Sequence, residues 1–574
     1  MLFTFPASLA PGRGLMGYSG DNFQHAWFLW HFARAVTHLQ NPFYTDLIYY
    51  PARVNLSWST TDPLGGFLAL PLSLGFGPVV AYNVSLVLQL GLAAFCARLL
   101  CLRICANQAA ALIGGACFGF SPFLMAHALG HLSLVTAFPI PLYCIALDRL
   151  LTRDEPGWRD GALLGCAMLL TALAHYNYTV ICALATLVVI AVDVAMRGAV
   201  VVRRTWRALA WGAATFLALF APLLLMLVGN RADVPGPRPF DHVIQYSADV
   251  LGFLIPPWNH ILFGRFTSNW DLSIFTAGYE GTVYVGPVIL ALAAIGVWKG
   301  RRALGRVQRR WAVIATAMGV CFYLLSLGPA LRIFGHQTSV PGPAALLYRV
   351  PWLRFVSAPA RFQVIVALSA AVLASLGVAY LMERWRARTE WQRAALAGAV
   401  SALLLADLLT IPFPASSTAD PAWLGDASDG TPVACTIPRA LQTGTVITFP
   451  LIHWPYSMKS TWMQVRDEGR YKLVDGYLSY SPERIWLDYW ANPIVRSLLA
   501  IQGEFGAPVA LEKDRDVAAS ALRELDASAI VIFDSPQQDA AVGYVHGLLE
   551  REGRREGSCV VFAARSDADS PAAR

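Results

Sequence analysis

Val180-Ile181-Cys182-Ala183-Leu184-Ala185-Thr186-Leu187-Val188-Val189-Ile190-Ala191-Val192 contains no charged residue, and Arg197, Arg203, Arg204 and Arg207 follow it closely. The apolar run extends over 177–196. That is near the roughly 20 residues that carry a helix across a bilayer. Arginines packed into a short loop after such a run mark a cytoplasmic end. The same alternation recurs along the chain. Apolar runs lie at 78–100, 108–126, 131–151, 159–175, 177–196, 208–228, 283–300, 311–330, 361–382 and 393–411. Basic residues fill every second connection: Arg98 and Arg103, then Arg149, Arg153 and Arg159, then Lys299 to Arg310, then Arg384 to Arg393. The other connections are short and uncharged, or long and sparsely basic.

Positive-inside counting therefore puts residues 1–77, the 229–282 and 331–360 loops and everything after 411 on the outer side. Composition agrees with a membrane protein. The 574 residues are 56% hydrophobic and 14% charged, whereas a soluble domain carries about 25% charged residues. The net charge of +7 sits in loops between apolar runs, so it does not point to nucleic acid. Nothing ahead of Asp21 is long enough to span, and residues 1–10 lack the basic n-region of a signal peptide. The expectation is that a first helix is lacking or truncated and that residues 1–10 are its outer end.

The first outer stretch, 1–77, holds Gly20-Asp21-Asn22-Phe23-Gln24-His25-Ala26-Trp27. Asp21 reads two ways. It is a residue type that caps helix N-termini, and it is a carboxylate at a membrane surface beside an aromatic face, where partial burial should raise its pKa and suit proton abstraction. Residues 22–39 distribute Phe23, Trp27, Trp30, His31, Arg34 and His38 around a helix. It lies flat on the outer leaflet or packs on the bundle. Residues 63–77 are apolar, short and broken by Pro71, which suggests a re-entrant or interfacial piece.

After 411 the character changes. Pro412, Pro414, Ser416 and Ser417 make a linker. Strand-like runs at 446–449, 529–533 and 559–563 alternate with helical patterns at 482–503, 514–526 and 537–552. That alternation predicts a small α/β domain over 412–574. Of ten cysteines, Cys435 and Cys559 alone lie in this part. They are able to pair if it is extracytoplasmic.

At this point the chain resembles the GT-C superfamily of integral membrane glycosyltransferases, in a bacterial branch with a C-terminal extracytoplasmic domain. The carriers are Gly20-Asp21 with Gln24-His25-Ala26-Trp27, then Asn41-Pro42-Phe43 and Tyr50-Pro51. Phe118-Gly119-Phe120-Ser121-Pro122 follows, with His127 and Gly130-His131-Leu132. Later come Arg354-Phe355, Pro359-Ala360-Arg361-Phe362, Asp475-Gly476-Tyr477-Leu478 and Leu525-Asp526-Ala527-Ser528-Ala529. The resemblance implies an all-α polytopic bundle over 78–411 with about ten spans, followed by the outer α/β domain. It also implies a multi-pass protein of the bacterial cytoplasmic membrane. The implied reaction moves a sugar from a polyprenyl-phosphate donor to a glycan, lipid or protein acceptor. An Asp in the first outer loop acts there as base or acceptor-orienting group. Asp21 is followed by Asn22 rather than by a second acid, which departs from several branches of the superfamily and leaves a divalent metal ion open as cofactor.

Glycosyl transfer needs a base, stabilisation of the leaving phosphate and a dry site. Asp21 is the expected base, with His25, one turn on, orienting it. Arg354 and Arg361 are expected to pair with donor phosphate, because a guanidinium fork matches phosphate oxygens; interfacial snorkelling is their other reading. His127 and His131 stand at metal-ligand spacing, although Ala128-Leu129-Gly130 interrupts the helix; substrate hydrogen bonding and turn lining remain alternatives. Asp46 is a candidate second acid or metal ligand, and Tyr50 a candidate stacking ring for sugar or isoprenoid, with loop packing as its other reading. Asp62 before Pro63 reads as a turn or cap. Glu280 and Asp271 carry no distinguishing signal. A transporter, flippase or non-enzymatic assembly protein for a lipid-linked glycan is the competing class. Spans nearly free of midplane charge speak against transport.

Overall fold

The computed structural model describes the chain except for residues 230–237, 268–277, 304, 351–355, 386–387, 419–434, 479–483, 505–514 and 566–574. The first helix, α1 (Asp21–Thr37), is followed by α2 (Pro63–Cys105), α3 (Gln108–Gly119), α4 (Pro122–His127), α5 (Leu132–Val135) and α6 (Pro139–Thr152). Then come α7 (Trp158–Ala174), α8 (Tyr176–Arg197), α9 (Val200–Val228), α10 (Phe240–Gln245), α11 (Gly264–Thr267) and α12 (Pro287–Ala303). The helical bundle ends with α13 (Arg306–Ser326), α14 (Gln363–Arg384) and α15 (Glu390–Leu408).

Every apolar run read from the sequence is largely helical. Among the described residues, six helical stretches are long and apolar enough to cross a membrane: Pro63–Cys105, Gln108–His127, Leu132–Thr152, Tyr176–Arg197, Val200–Val228 and Pro359–Arg384. Helix α7 is too short, and α12 is apolar only over Pro287–Lys299.

Residues 63–77 are set apart from the run that starts at 78, as the sequence suggests, but Pro71 does not break them. They form the first arm of α2, which runs from Pro63 past Pro71 to a non-helical Gly77 (φ 80°, ψ 173°); a second helical arm begins at Pro78. Proline lacks an N–H but its φ suits a helix, and glycine tolerates the left-handed φ at the kink. Helix α1 does not lie flat on a leaflet. Phe23, Trp27, Phe28 and Phe32 are buried, and α1 packs between α2 and α16 (Tyr456–Arg466). The Trp27 indole N–H donates to Gln464 Oε1 at 3.2 Å. With aromatic residues on all sides, α1 needs protein around it rather than a water face.

Close backbone approach holds the bundle together. A Cβ on Gly377 of α14 would meet the Leu292 carbonyl of α12 at 2.1 Å, and one on Gly296 would meet the Leu373 carbonyl at 2.1 Å. Small residues at such crossings let apolar helices pack without a hydrophobic driving force. At the helix ends next to the arginine-rich connections, Arg310 bonds Asp193 at 2.7 Å and Asp148 at 2.5 Å. Arg103 reaches the same Asp148 and Arg197 the same Asp193. This charge network joins α2, α6, α8 and α13, and each of its two buried carboxylates meets two arginines, as burial of an acid requires.

Short strands pair two by two: β1 (Gly14–Met16) with β6 (Ala415–Ser417), β2 (Tyr44–Thr45) with β3 (Val54–Asn55), and β4 (Ala330–Ile333) with β5 (His336–Pro341). The C-terminal part builds a five-stranded sheet from β7 (Thr445–Phe449), β8 (Lys472–Leu473), β9 (Ala527–Phe533), β10 (Arg554–Glu556) and β11 (Cys559–Ala563). Its order is β10-β11-β9-β7-β8, parallel from β9 through β7 to β8 and antiparallel beyond. Besides α16, this part carries α17 (Arg484–Ala491), α18 (Pro493–Ile501), α19 (Arg515–Glu524) and α20 (Gln538–Leu549). Every residue of β7 and β9 is buried, which explains their continuous apolar runs.

Cys435 and Cys559 form a disulfide, their Cα atoms 5.4 Å apart. The other eight cysteines are free thiols. Maleimide labelling of denatured, non-reduced protein should therefore modify eight cysteines, and all ten after reduction. Ten labelled without reductant would contradict the pairing.

Candidate active site

Asp21 is the first residue of α1, and Gly20 is its N-cap. The Asp21 side chain makes no cap. Its Oδ2 lies 2.8 Å from His131 Nε2, and its Oδ1 accepts from the Tyr477 hydroxyl at 2.7 Å. Residues more than a hundred and more than four hundred positions away thus converge on the start of α1.

Local structure explains each arrival. The α4–α5 break at Ala128–Gly130 turns the chain so that His127 and His131 face one another, Nδ1 to Nδ1, at 3.3 Å. Tyr477 is delivered by a clamped loop. The buried Asp475 carboxylate accepts from the Ile452 and Gly476 amides at 2.9 and 2.7 Å and from the Ser457 and Ser460 hydroxyls at 3.0 and 3.2 Å. The Gly476 carbonyl accepts from Tyr49, and the Tyr477 carbonyl from Gln24 of α1.

Glu280, in a 3-10 turn at Gly278–Gly281, completes the group. It is 6% exposed. Arg361 grips it with two bonds, Nη2 to Oε1 at 2.5 Å and Nε to Oε2 at 3.1 Å. Glu280 Oε1 also lies 3.4 Å from His131 Nδ1. The result is one chain of contacts: Tyr477, Asp21, His131, Glu280, Arg361.

The electrostatics differ from the sequence expectation at one point. Burial alone would raise the Asp21 carboxyl, but the hydrogen bond and charge of His131, the Tyr477 hydroxyl and the nearby His25 outweigh it. Asp21 is held below the usual carboxylate range, not above it. Burial likewise opposes Glu280, and the Arg361 charge with the two histidines overcomes it, so Glu280 is also held low. His25, buried one turn along α1, is pushed down to about 3, first by burial and then by the His131 charge. It is a neutral neighbour of Asp21 at physiological pH.

His127, His131 and Glu280 bring two imidazole nitrogens and a carboxylate oxygen within 4.8 Å of one another. Ligands about 2.0–2.1 Å from a tetrahedral ion stand roughly 3.3 Å apart. The 3.3 and 3.4 Å separations match that spacing. A nitrogen–oxygen donor set suits a borderline divalent ion such as Zn²⁺.

The remaining sequence candidates lie elsewhere. Arg354 falls outside the described residues, as does Asp271. Arg361 is engaged by Glu280. Asp46 and Tyr50 belong to a different constellation: Lys472 Nζ pairs with Asp46 at 2.6 Å and sits 4.7 Å from the Tyr50 ring centre. Asp62 caps α2 by accepting from the Gly65 amide. Sequence reading passed over Glu280. A lone acid in a long outer loop gave no signal, because its partners come from 127–131 and 361.

The family described as "Domain of unknown function (DUF6311)" matches residues 1–409. No curated protein matches the sequence. Among solved structures, a mutant of the mycobacterial arabinofuranosyltransferase AftD is similar at 14% identity and a TM-score of 0.50, covering 98% of this chain and 40% of that one. ArnT from Cupriavidus metallidurans bound to undecaprenyl phosphate shares 11% identity over 98% of this chain and 96% of that one, TM-score 0.49. The Archaeoglobus fulgidus oligosaccharyltransferase AglB, with an inhibitory peptide and dolichol-phosphate, shares 11% over 99% and 72%, TM-score 0.41. The likeness to AftD is one of fold, and the fold is that of the GT-C membrane proteins. This chain spans two fifths of the AftD protein's length.

Removing one partner of the Glu280–Arg361 pair leaves a buried charge, a loss of about 3–5 kcal/mol. Because Glu280 titrates lower folded than unfolded, its contribution is present above the unfolded value of about 4.3 and fades as pH falls through the folded value. Glu280→Gln should lower the melting temperature at pH 7 and weaken its acid dependence below about pH 4.3. An unchanged melting curve at both pH values would contradict the pairing.

Proposed function

We propose that this chain, which belongs to the DUF6311 family, transfers a sugar from a polyprenyl-phosphate-linked donor to a glycan, lipid or protein acceptor at the outer face of a cytoplasmic membrane. The observation that carries the reading is the Tyr477–Asp21–His131–Glu280–Arg361 chain. It gathers a tyrosine hydroxyl, a carboxylate, a histidine and an acid–arginine pair from five stretches of the sequence, with His127 against the histidine. Loop charges assign those stretches to the outer side, and the GT-C fold supports the reaction class.

In this reading Asp21 receives the acceptor. The acceptor oxygen attacks the anomeric carbon, the bond from that carbon to the phosphate oxygen breaks, and its electron pair leaves with the phosphate. The acceptor proton passes to the Asp21 carboxylate. A carboxylate held low is ionised at neutral pH and ready to accept a hydrogen bond from the acceptor hydroxyl. As the proton transfers, its contacts with His131 and Tyr477 keep it aimed. His25, neutral and buried, supports its position from one turn away. His127, His131 and Glu280 would hold a divalent ion, which when bound supplies positive charge for a phosphate. Arg354 is the second candidate for that charge; Arg361 acts instead by fixing Glu280.

The same reading makes 1–77 the first outer loop, 78–411 the transmembrane bundle with outer loops 229–282 and 331–360, and 412–574 an extracytoplasmic α/β domain. The Cys435–Cys559 disulfide supports the last assignment, since disulfides persist in oxidising compartments.

A purified-protein assay with polyprenyl-phosphate sugars tests the proposal. A positioned base contributes about 10²–10⁴ in rate. Asp21→Asn should lower transfer by that order with donor binding retained, and Tyr477→Phe by a smaller factor. A product pool unchanged by Asp21→Asn would sink the enzyme reading and favour a flippase or assembly protein. Chelation should abolish transfer and Zn²⁺ restore it; activity indifferent to chelator would leave the two histidines as hydrogen-bonding residues only.

A further inference from the structure

Far along α1 from Asp21 there is a second polar constellation. A cavity of about 300 Å³ opens between α1, the 40–47 segment and the edge of the C-terminal sheet. None of the Asp21, His131, Glu280 group lines it. His31 lies ten residues after Asp21, so a helix rise of 1.5 Å per residue puts the two sites roughly 15 Å apart.

Three cations, Arg34, Arg470 and Lys472, line the cavity against one carboxylate, Asp46. Their present partners are local. Lys472 pairs with Asp46 at 2.6 Å, Arg470 with Glu468 at 2.7 Å, and Arg34 donates to the Glu468 carbonyl at 3.3 Å. The ion-paired side chains are part-exposed, so exchanging such a partner for a ligand costs little.

The rest of the lining is polar as well. Gln40, Tyr44 and Thr45 stand in the same wall as the three cations. Amide and hydroxyl side chains both donate and accept. Sugar hydroxyl groups do the same and so match such a wall.

We propose that this cavity is a second ligand site, which binds an anionic sugar unit: a hexose carrying a carboxylate or a phosphate. The excess of cations selects the anion, and guanidinium forks match carboxylate and phosphate oxygens alike. The mixed donors and acceptors select the hydroxyl-bearing ring. The volume is at the small end of ligand pockets, which run about 300–1,000 Å³, and the polar lining leaves no place for an acyl chain. The sugar part of this inference rests on the glycosyltransfer reading, while the anionic part rests on the lining alone. The site would hold a charged sugar of the acceptor away from the reacting end.

Calorimetric titration of the full chain in nanodiscs tests this, with glucuronate, glucose 6-phosphate, glucose and inorganic phosphate as probes. Saturable binding of glucuronate or glucose 6-phosphate, at least tenfold tighter than glucose, is expected. Comparing the two identifies which anion the site takes. Lys472→Ala and Arg470→Ala should each weaken that binding at least tenfold with an unchanged melting temperature. Should Lys472→Ala unfold the protein, the exposed Arg470 and Gln40 provide the same test. Asp21→Asn should keep the binding, so that loss of transfer and loss of this site are separate readouts. Equal binding of glucose, or inorganic phosphate binding as tightly as glucose 6-phosphate, would overturn the proposal. So would binding that survives Arg470→Ala.

Discussion

Two carboxylates, Asp21 and Glu280, sit close together with His131 between them, Glu280 almost wholly out of water. A buried charge without a partner is worth several kcal/mol against the fold. The structure answers with one bidentate arginine, one bridging imidazole and one tyrosine hydroxyl. Each partner must come from a different element. Arg361 comes from the 3-10 turn ahead of α14, His131 from the α4–α5 break and Tyr477 from the loop after β8. The constraint of pairing two acids therefore brings these distant loops together at the start of α1. It also inverts the expected chemistry of Asp21, because partners that stabilise its charge outweigh the burial that would suppress it.

The C-terminal part is more than an appendage to the bundle. Gln464 receives the Trp27 indole N–H and Tyr477 reaches Asp21. Asp475, saturated with donors, makes the loop between them stiff enough to place a single hydroxyl. The same part supplies Arg470 and Lys472 to the cavity at the far end of α1. Helix α1 thus carries a polar cluster toward each end and is buried because both α2 of the bundle and α16 of the C-terminal part pack on it.

How far the sequence reaches depends on the range of the physics. Hydropathy and loop charge are local, and the apolar runs they mark are helical. The strand-like runs at 446–449, 529–533 and 559–563 lie within strands of one sheet for the same reason. Residues 63–77 were legible as a piece apart from the run at 78–100, because the backbone leaves the helical region at Gly77, but Pro71 looks like a breaker and instead sits inside the first arm of α2. Helix α1 was ambiguous because its aromatic residues suit a headgroup layer as well as a protein core; part of what covers it, Gln464 of α16, lies 437 residues beyond Trp27.

The sequence by itself determined a multi-pass membrane protein, the connections in which its basic residues gather, and Asp21 with His127 and His131 as residues to watch. Length, apolarity and spacing along one segment are enough for that. Only the tertiary structure brought Glu280 to His131, paired Arg361 with Glu280, and gave Asp46 and Tyr50 a shared neighbour in Lys472. Those outcomes depend on which distant charges share a buried volume. Pairing energy acts across space, and no local pattern in the chain encodes it.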